Sequence, residues 1–217
     1  MPDLSFEVLA ASPAADMVTP AMTFQMRVAN AFPDQQIDAV LLRFQLRIEV
    51  ARRRYTPQEQ AQLASLFDRP ERWNETLRPI TWITTAMNLP GFRGAMPFTL
   101  TAPCPSDFTA ATPQYFHGLE AGEVPLAFLF SGTVFHTPQG HTMQAAPISW
   151  DKEARFRLPV ATWKQAMDLY YPDAAFLHLR RDVFDGLYQY KVRAGITTFD
   201  EAIERMLAIA ERERLAS

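Results

Sequence analysis

The sequence predicts an α+β protein, an antiparallel β-sandwich of about eight strands followed by a C-terminal helical segment of about three helices. Two observations carry this prediction. Apolar and polar residues alternate with a period of two along much of residues 1–159, which is typical of half-buried antiparallel strands. After residue 159 the apolar residues recur at the three- and four-residue steps of amphipathic helices. We therefore expect a β-sandwich domain over residues 1–159 and a helical segment over residues 160–217 that packs on the sandwich.

The strand prediction rests on several runs of alternating residues. In residues 37–50 a fully apolar face alternates with a charged face, and residues 124–135 form the most apolar run. Gly132 inside that run predicts a bulge or a close approach of two backbones. Because the strands follow one another without helical crossovers, an antiparallel sandwich is favoured over a parallel sheet. Further strands are predicted at residues 4–8, 22–28, 80–87, 98–102, 111–119, 143–149 and 154–158.

Capping boxes mark the predicted helix starts. In such a box a Thr side chain and a Glu or Gln three residues later each bond the other's backbone N–H group. One box begins at Thr56 and predicts a short helix over about residues 56–68, inserted in the sandwich domain. Two more boxes, at Thr162 and Thr198, predict helix starts in the C-terminal segment. Gly195 is a predicted C-terminal cap between those helices.

The composition excludes several classes of protein. The chain has 217 residues, of which 48% are hydrophobic and 21% charged, and its net charge is −3. A negative net charge argues against general nucleic-acid binding, and no apolar run is long enough to span a membrane. Neither a glycine-rich phosphate loop nor a GxSxG nucleophile motif is present. The acidic start and the single cysteine, which excludes an internal disulfide, lead us to expect a cytoplasmic protein.

The histidines and the cysteine are the candidates for catalytic or metal chemistry. His117, His136 and His141 would approach one another if a hairpin joined the last two, and three imidazoles suit zinc. Cys104 lies between two prolines and would need a nearby histidine to act as a nucleophile. Solvated histidines and an inert buried thiol explain the same residues more simply. We therefore predict no catalytic residues, no metal and no cofactor, and keep a small cysteine- or histidine-dependent hydrolase or metal-binding enzyme as an alternative.

A binder of a small apolar ligand is a further alternative. The chain contains 16 phenylalanines and 9 methionines, which would line a space between the two sheets. The same side chains would also form an ordinary hydrophobic core, so the sequence leaves this alternative open.

Residues 43–54 form a local basic zone, with five arginines against one glutamate, Glu49. In a chain of net charge −3 such a zone makes the charge distribution dipolar, which speeds association with an acidic partner. We therefore predict that the zone binds a protein partner. A solvated strand end without a binding role is the alternative. The predicted binding residues are Arg43, Arg47, Arg52, Arg53 and Arg54.

A motif in the C-terminal segment resembles the signature of an uncharacterised bacterial family, a domain of unknown function. It consists of Val160–Asp168, then Tyr171-Pro172 and Leu179-Arg180-Arg181-Asp182. The resemblance implies a bacterial cytoplasmic protein whose gene lies near those of nickel-iron hydrogenases, and it implies no catalytic residues. Together with the missing acid–base motifs, it leads us to predict a non-enzymatic accessory or assembly module that binds another protein and is linked to a hydrogenase system. The oligomeric state stays open.

Overall fold

The computed structural model describes residues 1–104, 110–138, 142–172, 174 and 177–216. Within these ranges the chain forms eight β-strands and six α-helices, none of them long and apolar enough to cross a membrane. The strands are β1 (Leu4–Pro13), β2 (Ala21–Asn30), β3 (Ile37–Ile48), β4 (Ile80–Phe92), β5 (Ala95–Pro103), β6 (Glu123–His136), β7 (Gln144–Pro147) and β8 (Glu153–Pro159). The helices are α1 (Pro57–Phe67), α2 (Trp73–Thr76), α3 (Ala111–His117), α4 (Val160–Tyr170), α5 (Arg181–Arg193) and α6 (Phe199–Ala216), and short 3₁₀ helices lie at Val50–Arg52 and Pro70–Arg72.

The described chain has more helices than the sequence indicated. α4, α5 and α6 lie after residue 159, where about three helices were predicted, and α1 lies where the inserted helix was predicted. α2 and α3 are additional, and α3 replaces the strand predicted at residues 111–119, which is wrong. Tyr115 and Phe116 explain the error, because these neighbouring side chains are both fully buried and a strand with one buried face cannot bury two neighbours. Pro113 fits in the first helical turn, where its missing N–H has no partner to lose.

The strands form two antiparallel sheets, as the alternating pattern predicted. The first has three strands in the order β1-β2-β5. The second has five strands, β4-β3-β6-β7 in that order, with β8 also paired to β6. In β6, Gly132 has a φ of +138°, and a Cβ there would lie 2.0 Å from the Leu41 carbonyl oxygen of β3. The close backbone approach predicted at Gly132 is therefore confirmed.

Aromatic side chains join the inner faces of the two sheets into one core. Phe6 of β1 stacks on Phe130 of β6 with 4.1 Å between the ring centroids. Phe24 of β2 meets Phe128 of β6 edge-on at 5.0 Å and Trp82 of β4 at 6.3 Å. Such face-to-face packing of two antiparallel sheets is the arrangement expected of a β-sandwich.

Helices α1, α3 and α4 contribute side chains to the same core. The capping box of α1 is confirmed, because the Glu59 N–H donates to Thr56 Oγ1 and the Thr56 N–H donates to Glu59 Oε2, both at 3.1 Å. The helix start predicted at Thr162 is wrong, since α4 begins at Val160. The Val160 N–H donates to the Gly122 carbonyl oxygen at 2.9 Å where the pairing of β8 with β6 ends. The chain therefore passes from strand to helix without a loop.

The chain divides into two compact units, Met1–Phe176 and Leu177–Ser217. The first unit contains both sheets and α1 to α4, whereas the boundary drawn from the sequence places α4 with the later helices. The second unit contains α5 and α6. Gly195 has a φ of +67° and follows the last turn of α5, so the C-terminal cap predicted there is confirmed. The packing of the helical segment on the sandwich stays a prediction.

Candidate functional site

The outward side of the five-stranded sheet carries the predicted basic residues of β3. Arg43 and Arg47 alternate along the strand with buried side chains such as Phe44, and so they point away from the core. Arg47 pairs in register with Ala127 of β6, and Ala127 pairs with Arg155 of β8. Arg47 and Arg155 therefore flank one small side chain, roughly two strand spacings or about 10 Å apart.

Three more arginines extend this surface at the end of the sheet. Arg52 lies in the 3₁₀ helix after β3, Arg54 lies in the segment before α1, and Arg157 lies on β8. Arg155 shares one depression, of about 360 Å³, with Arg52 and Arg157. Arg54 shares a second depression, of about 500 Å³, with the same two arginines. We call this surface the arginine face, and its members are Arg43, Arg47, Arg52, Arg54, Arg155 and Arg157.

Positive charge exceeds negative charge on the arginine face. Three glutamates lie within ion-pair distance of its six arginines, which leaves a surplus of three positive charges in a chain of net charge −3. Arg43, Arg47 and Arg54 have no ion-pair partner in the part of the chain that the structure describes. The ion pairs are Arg155–Glu153 at 2.6 Å, Arg52–Glu49 at 3.6 Å and Arg157–Glu123 at 4.0 Å.

An exposed tryptophan borders the arginine face. Trp150, in the turn between β7 and β8, is 92% exposed. It lines a depression of about 290 Å³ with Arg43, Gln45 and Thr84. Tryptophan and arginine are enriched at protein interfaces, and so their juxtaposition is typical of a protein-binding surface.

Arg53 differs from the other arginines of the predicted binding set, because its side chain is only 9% exposed. Its Nη2 donates to Glu59 Oε1 at 2.5 Å and to the Ala121 carbonyl oxygen at 2.7 Å, and its Nη1 donates to the Glu123 carbonyl oxygen at 2.9 Å. The guanidinium also lies 5.7 Å from the ring centroid of Tyr55. Arg53 therefore ties α1 and residues 121–123 together. The binding role predicted for these five arginines stays a prediction. Within the five, Arg53 is the one whose hydrogen bonds hold parts of the fold together.

Sequence reasoning missed Arg155 and Arg157. The signal for the two arginines was present, because Glu153, Arg155 and Arg157 alternate with apolar residues and so share the outward face of β8. Nothing in the sequence indicates that β8 pairs with β6, and this pairing is what aligns Arg155 with Arg47.

The cysteine is buried and protonated at neutral pH. Cys104 is 2% exposed, and burial raises its pKa to about 12, an effect that the Met22 backbone and the Trp163 indole oppose only in part. The Trp163 Nε1–H is buried and has no hydrogen-bond partner among the described residues. Since the thiolate is the nucleophilic form of cysteine, Cys104 is poorly suited to catalysis.

His117 and His136 lie too far apart to share a metal ion. His136, at the end of β6, is buried, and its Nδ1 lies 3.3 Å from Gln35 Nε2. His117 ends α3, just before β6 begins, and the 14 residues of β6 span roughly 45 Å. His141 lies outside the described residues. Within residues 1–104, 110–138, 142–172, 174 and 177–216, no group of three His, Cys, Asp or Glu side chains could hold a metal ion.

The space between the sheets is occupied by side chains where the aromatic rings meet. The 4.1 Å stack of Phe6 on Phe130 and the 5.0 Å contact of Phe24 with Phe128 are direct contacts between opposite sheets. An apolar ligand would have to separate these rings, so the phenylalanines act as core residues at these positions.

These features define a protein of two antiparallel sheets with a basic outer sheet face. The chain belongs to the family of unknown function DUF6084, which matches residues 1–215. This confirms the uncharacterised domain family that the C-terminal motif indicated. A comparison with curated proteins finds no match.

Several solved structures are similar to part of the chain at low sequence identity. A crystal structure assigned as the ApaA protein of Bordetella pertussis is 11% identical, with 72% of this chain and 93% of that chain covered and a TM-score of 0.32. β-Glucosidase 3B from Thermotoga neapolitana in complex with α-D-glucose is 9% identical, with 72% and 17% covered and a TM-score of 0.27. The β-glucosidase EmGH1 from Erythrobacter marinus is 11% identical, with 68% and 15% covered and a TM-score of 0.27. At these TM-scores the likenesses carry no conclusion about function.

Proposed function

We propose that this protein is a non-enzymatic accessory or assembly module that binds an acidic protein partner through the arginine face. The observation that carries the proposal is the row in which Arg47 and Arg155 flank Ala127, on a surface where six arginines meet three glutamates. Guanidinium groups pair with carboxylates through two parallel hydrogen bonds. A protein surface rich in Asp and Glu is therefore the complement of this face.

The mixed charge of the face favours a protein partner over nucleic acid. Glu49, Glu123 and Glu153 lie among the arginines and would oppose the continuous negative charge of a phosphate backbone. An acidic protein can place its carboxylates beside the arginines and its neutral or basic groups beside the glutamates. The exposed Trp150 adds an apolar contact of the kind that anchors protein interfaces.

The enzyme alternative has less support from the geometry. Cys104 is buried with a raised pKa, and the whole of β6 separates His136, at its end, from His117, which ends α3 before β6 begins. The C-terminal motif makes hydrogenase subunits and their assembly proteins the first candidate partners, and the bacterial cytoplasm is the compartment in which we propose that the interaction takes place.

Charge reversal tests the proposal. The affinity-tagged protein is purified from its native organism, and co-purifying proteins are identified by mass spectrometry. Arg43→Glu, Arg47→Glu and Arg155→Glu are combined in one variant. Arg27→Glu, Arg69→Glu and Arg78→Glu are combined in a control that changes the net charge equally at exposed arginines outside the face.

The face variant should lose the partner, and the control should retain it. With purified partner, we expect the affinity of the face variant to fall at least tenfold and to depend less on salt concentration. Circular dichroism should show both variants folded, because exposed substitutions change stability by about 0.5 kcal/mol each. Equal binding by both variants across a salt series would reject the arginine face. A lone protein that carries stoichiometric metal would favour the enzyme alternative.

A further inference from the structure

We propose that the 500 Å³ depression between Arg52, Arg54 and Arg157 binds a phosphoryl group, carried by a small phosphorylated compound or by a phosphorylated side chain of a partner. The depression is also lined by Arg53, Gly122 and Glu123. It lies at one end of the arginine face, but binding of a phosphoryl group there can be measured without a partner protein. The inference therefore goes beyond the proposed function and can fail independently of it.

Part of the lining of this depression, which we call the phosphate pocket, is held in place by the buried contacts of Arg53. The Arg53 guanidinium is fixed by Glu59 and by the carbonyl oxygens of Ala121 and Glu123, at 2.5 to 2.9 Å. Gly122, between those two carbonyls, has a φ of +83°, and a Cβ there would lie 3.4 Å from Arg53 Nη1. A larger residue in this conformation would be strained, so glycine allows the chain to close over the arginine. This part of the lining is thus formed before any ligand arrives.

The rim of the phosphate pocket presents guanidinium groups that their own carboxylates hold only loosely. Arg52 Nε lies 3.6 Å from Glu49, and Arg157 Nη1 lies 4.0 Å from Glu123. Hydrogen-bonded ion pairs are about 2.7–2.9 Å long, so both contacts leave N–H donors available. Arg54 has no ion-pair partner among the described residues. The three side chains come from three separate segments and surround one depression.

The number of acceptor oxygens favours a phosphoryl group over a carboxylate. Glu59 pairs with Arg53, Glu49 lies beside Arg52 and Glu123 lies beside Arg157, so four arginines against three glutamates leave a surplus of one positive charge. A phosphoryl group is an anion with three acceptor oxygens, one for each rim arginine. A carboxylate carries one charge and two oxygens and would leave one arginine unmatched.

Isothermal titration calorimetry tests the phosphate pocket with the whole chain at pH 7.5 and constant ionic strength. The probes are inorganic phosphate, a short peptide with one phosphoserine and no other charged side chain, and the same peptide without the phosphate. We expect saturable one-to-one binding of a phosphorylated probe and none of the unmodified peptide. Tighter binding of the phosphopeptide than of inorganic phosphate would assign the phosphoryl group to a partner protein. Similar affinities would assign it to free compounds.

Variants locate the binding. Arg54→Gln combined with Arg157→Gln should weaken phosphate binding at least tenfold, because charge-assisted hydrogen bonds are lost from the rim. Arg54→Lys combined with Arg157→Lys keeps the charge without the planar fork and should give an intermediate affinity. Arg27→Gln combined with Arg69→Gln is the matched control and should stay within twofold of the wild type.

Three results would overturn the phosphate pocket. These are the absence of saturable binding, equal binding of the unmodified peptide, and equal weakening by the control variant. Arg43→Glu separates the two proposals, because Arg43 lies on the sheet face away from the depression. This variant should weaken partner binding and leave the affinity for phosphate within twofold of the wild type. If phosphate binds but the face variant binds the partner as tightly as the wild type, the phosphate pocket is supported and the proposed function is rejected.

Discussion

Replacing Glu59 by Gln isolates the buried ion pair that holds Arg53. The Glu59 side chain is 2% exposed, and its Oε1 accepts hydrogen bonds from Arg53 Nη2 at 2.5 Å and from the Glu120 N–H at 3.1 Å. Its Oε2 accepts from the Thr56 N–H at 3.1 Å. Gln has nearly the same shape but no charge and only one acceptor oxygen. The substitution therefore leaves the Arg53 charge buried without its counter-charge.

The expected loss of stability is large. Breaking a buried ion pair by removing one partner costs about 3–5 kcal/mol, chiefly because the remaining charge is unpaired. The NH₂ group of Gln would also face one of the backbone N–H groups that donate to Glu59 in the wild type. Two donors would then face each other, which lowers the stability further. Arg53→Met combined with Glu59→Met leaves no buried charge and should be less destabilising than Glu59→Gln alone.

Urea unfolding followed by tryptophan fluorescence measures this loss. Trp73, Trp82, Trp150 and Trp163 all lie in the first unit, so the fluorescence reports the unfolding of that unit. The free energy of unfolding is obtained from the midpoint and the slope of the transition. An unchanged slope would show that the two proteins unfold between equivalent states.

Glu153→Gln is the matched control for the buried pair. Glu153 pairs with Arg155 at 2.6 Å, but both side chains are well exposed, so the same substitution should cost less than about 1 kcal/mol. A loss below 1 kcal/mol for Glu59→Gln, or equal losses for the two variants, would refute the structural role of Arg53.

Three further predictions concern the core and the strand pairing. Cys104 should not react with a thiol reagent at pH 8 until urea unfolds the first unit, and rapid labelling of the native protein would contradict its burial. Burial raises the pKa of Cys104 and of Tyr55 to about 12, so the folded protein keeps protons that the unfolded chain releases from about pH 9 to 10. The stability that these two protonated groups contribute should therefore be fully present below pH 9 and decline as the pH rises toward 12. Equal free energies of unfolding in urea titrations at pH 8 and pH 11 would contradict this expected decline. Gly132→Ala should lower the free energy of unfolding in urea by more than about 2 kcal/mol, because the new Cβ would overlap the Leu41 carbonyl oxygen. Gly186→Ala in α5 is the control, since its Cβ meets no atom within 4 Å and the circular dichroism should stay unchanged or become more helical. A small loss of stability for Gly132→Ala would contradict the close approach of the two backbones.

Most strands, the start of α1 and the C-terminal cap of α5 were predictable because their signals are local. The alternation in β3 follows from one buried and one exposed sheet face, and the box at Thr56 is a pattern within four residues. Gly132 also carried its own signal, since a glycine in an apolar strand is typical of a close backbone approach. None of these features depends on knowing which strands are neighbours.

The errors occurred where tertiary contacts overrode local patterns. Residues 111–117 contain aromatic residues typical of strands, but the burial of both Tyr115 and Phe116 favours a helix. The box at Thr162 was a sound local signal, yet α4 begins at Val160, because the end of the β8–β6 ladder sets where the helix begins. In both cases a partner distant in the sequence decided the outcome.

The candidate site shows the same division between sequence and structure. The sequence by itself determined that Arg43 and Arg47 lie on the outward face of a strand and that the zone after it is basic, because side-chain direction in a strand follows from its period of two. Only the tertiary structure brought Arg155 into line with Arg47 through β6, and only burial separated Arg53 from its neighbours. Strand order and burial depend on contacts between residues far apart in the chain, and a pattern confined to one segment does not contain them.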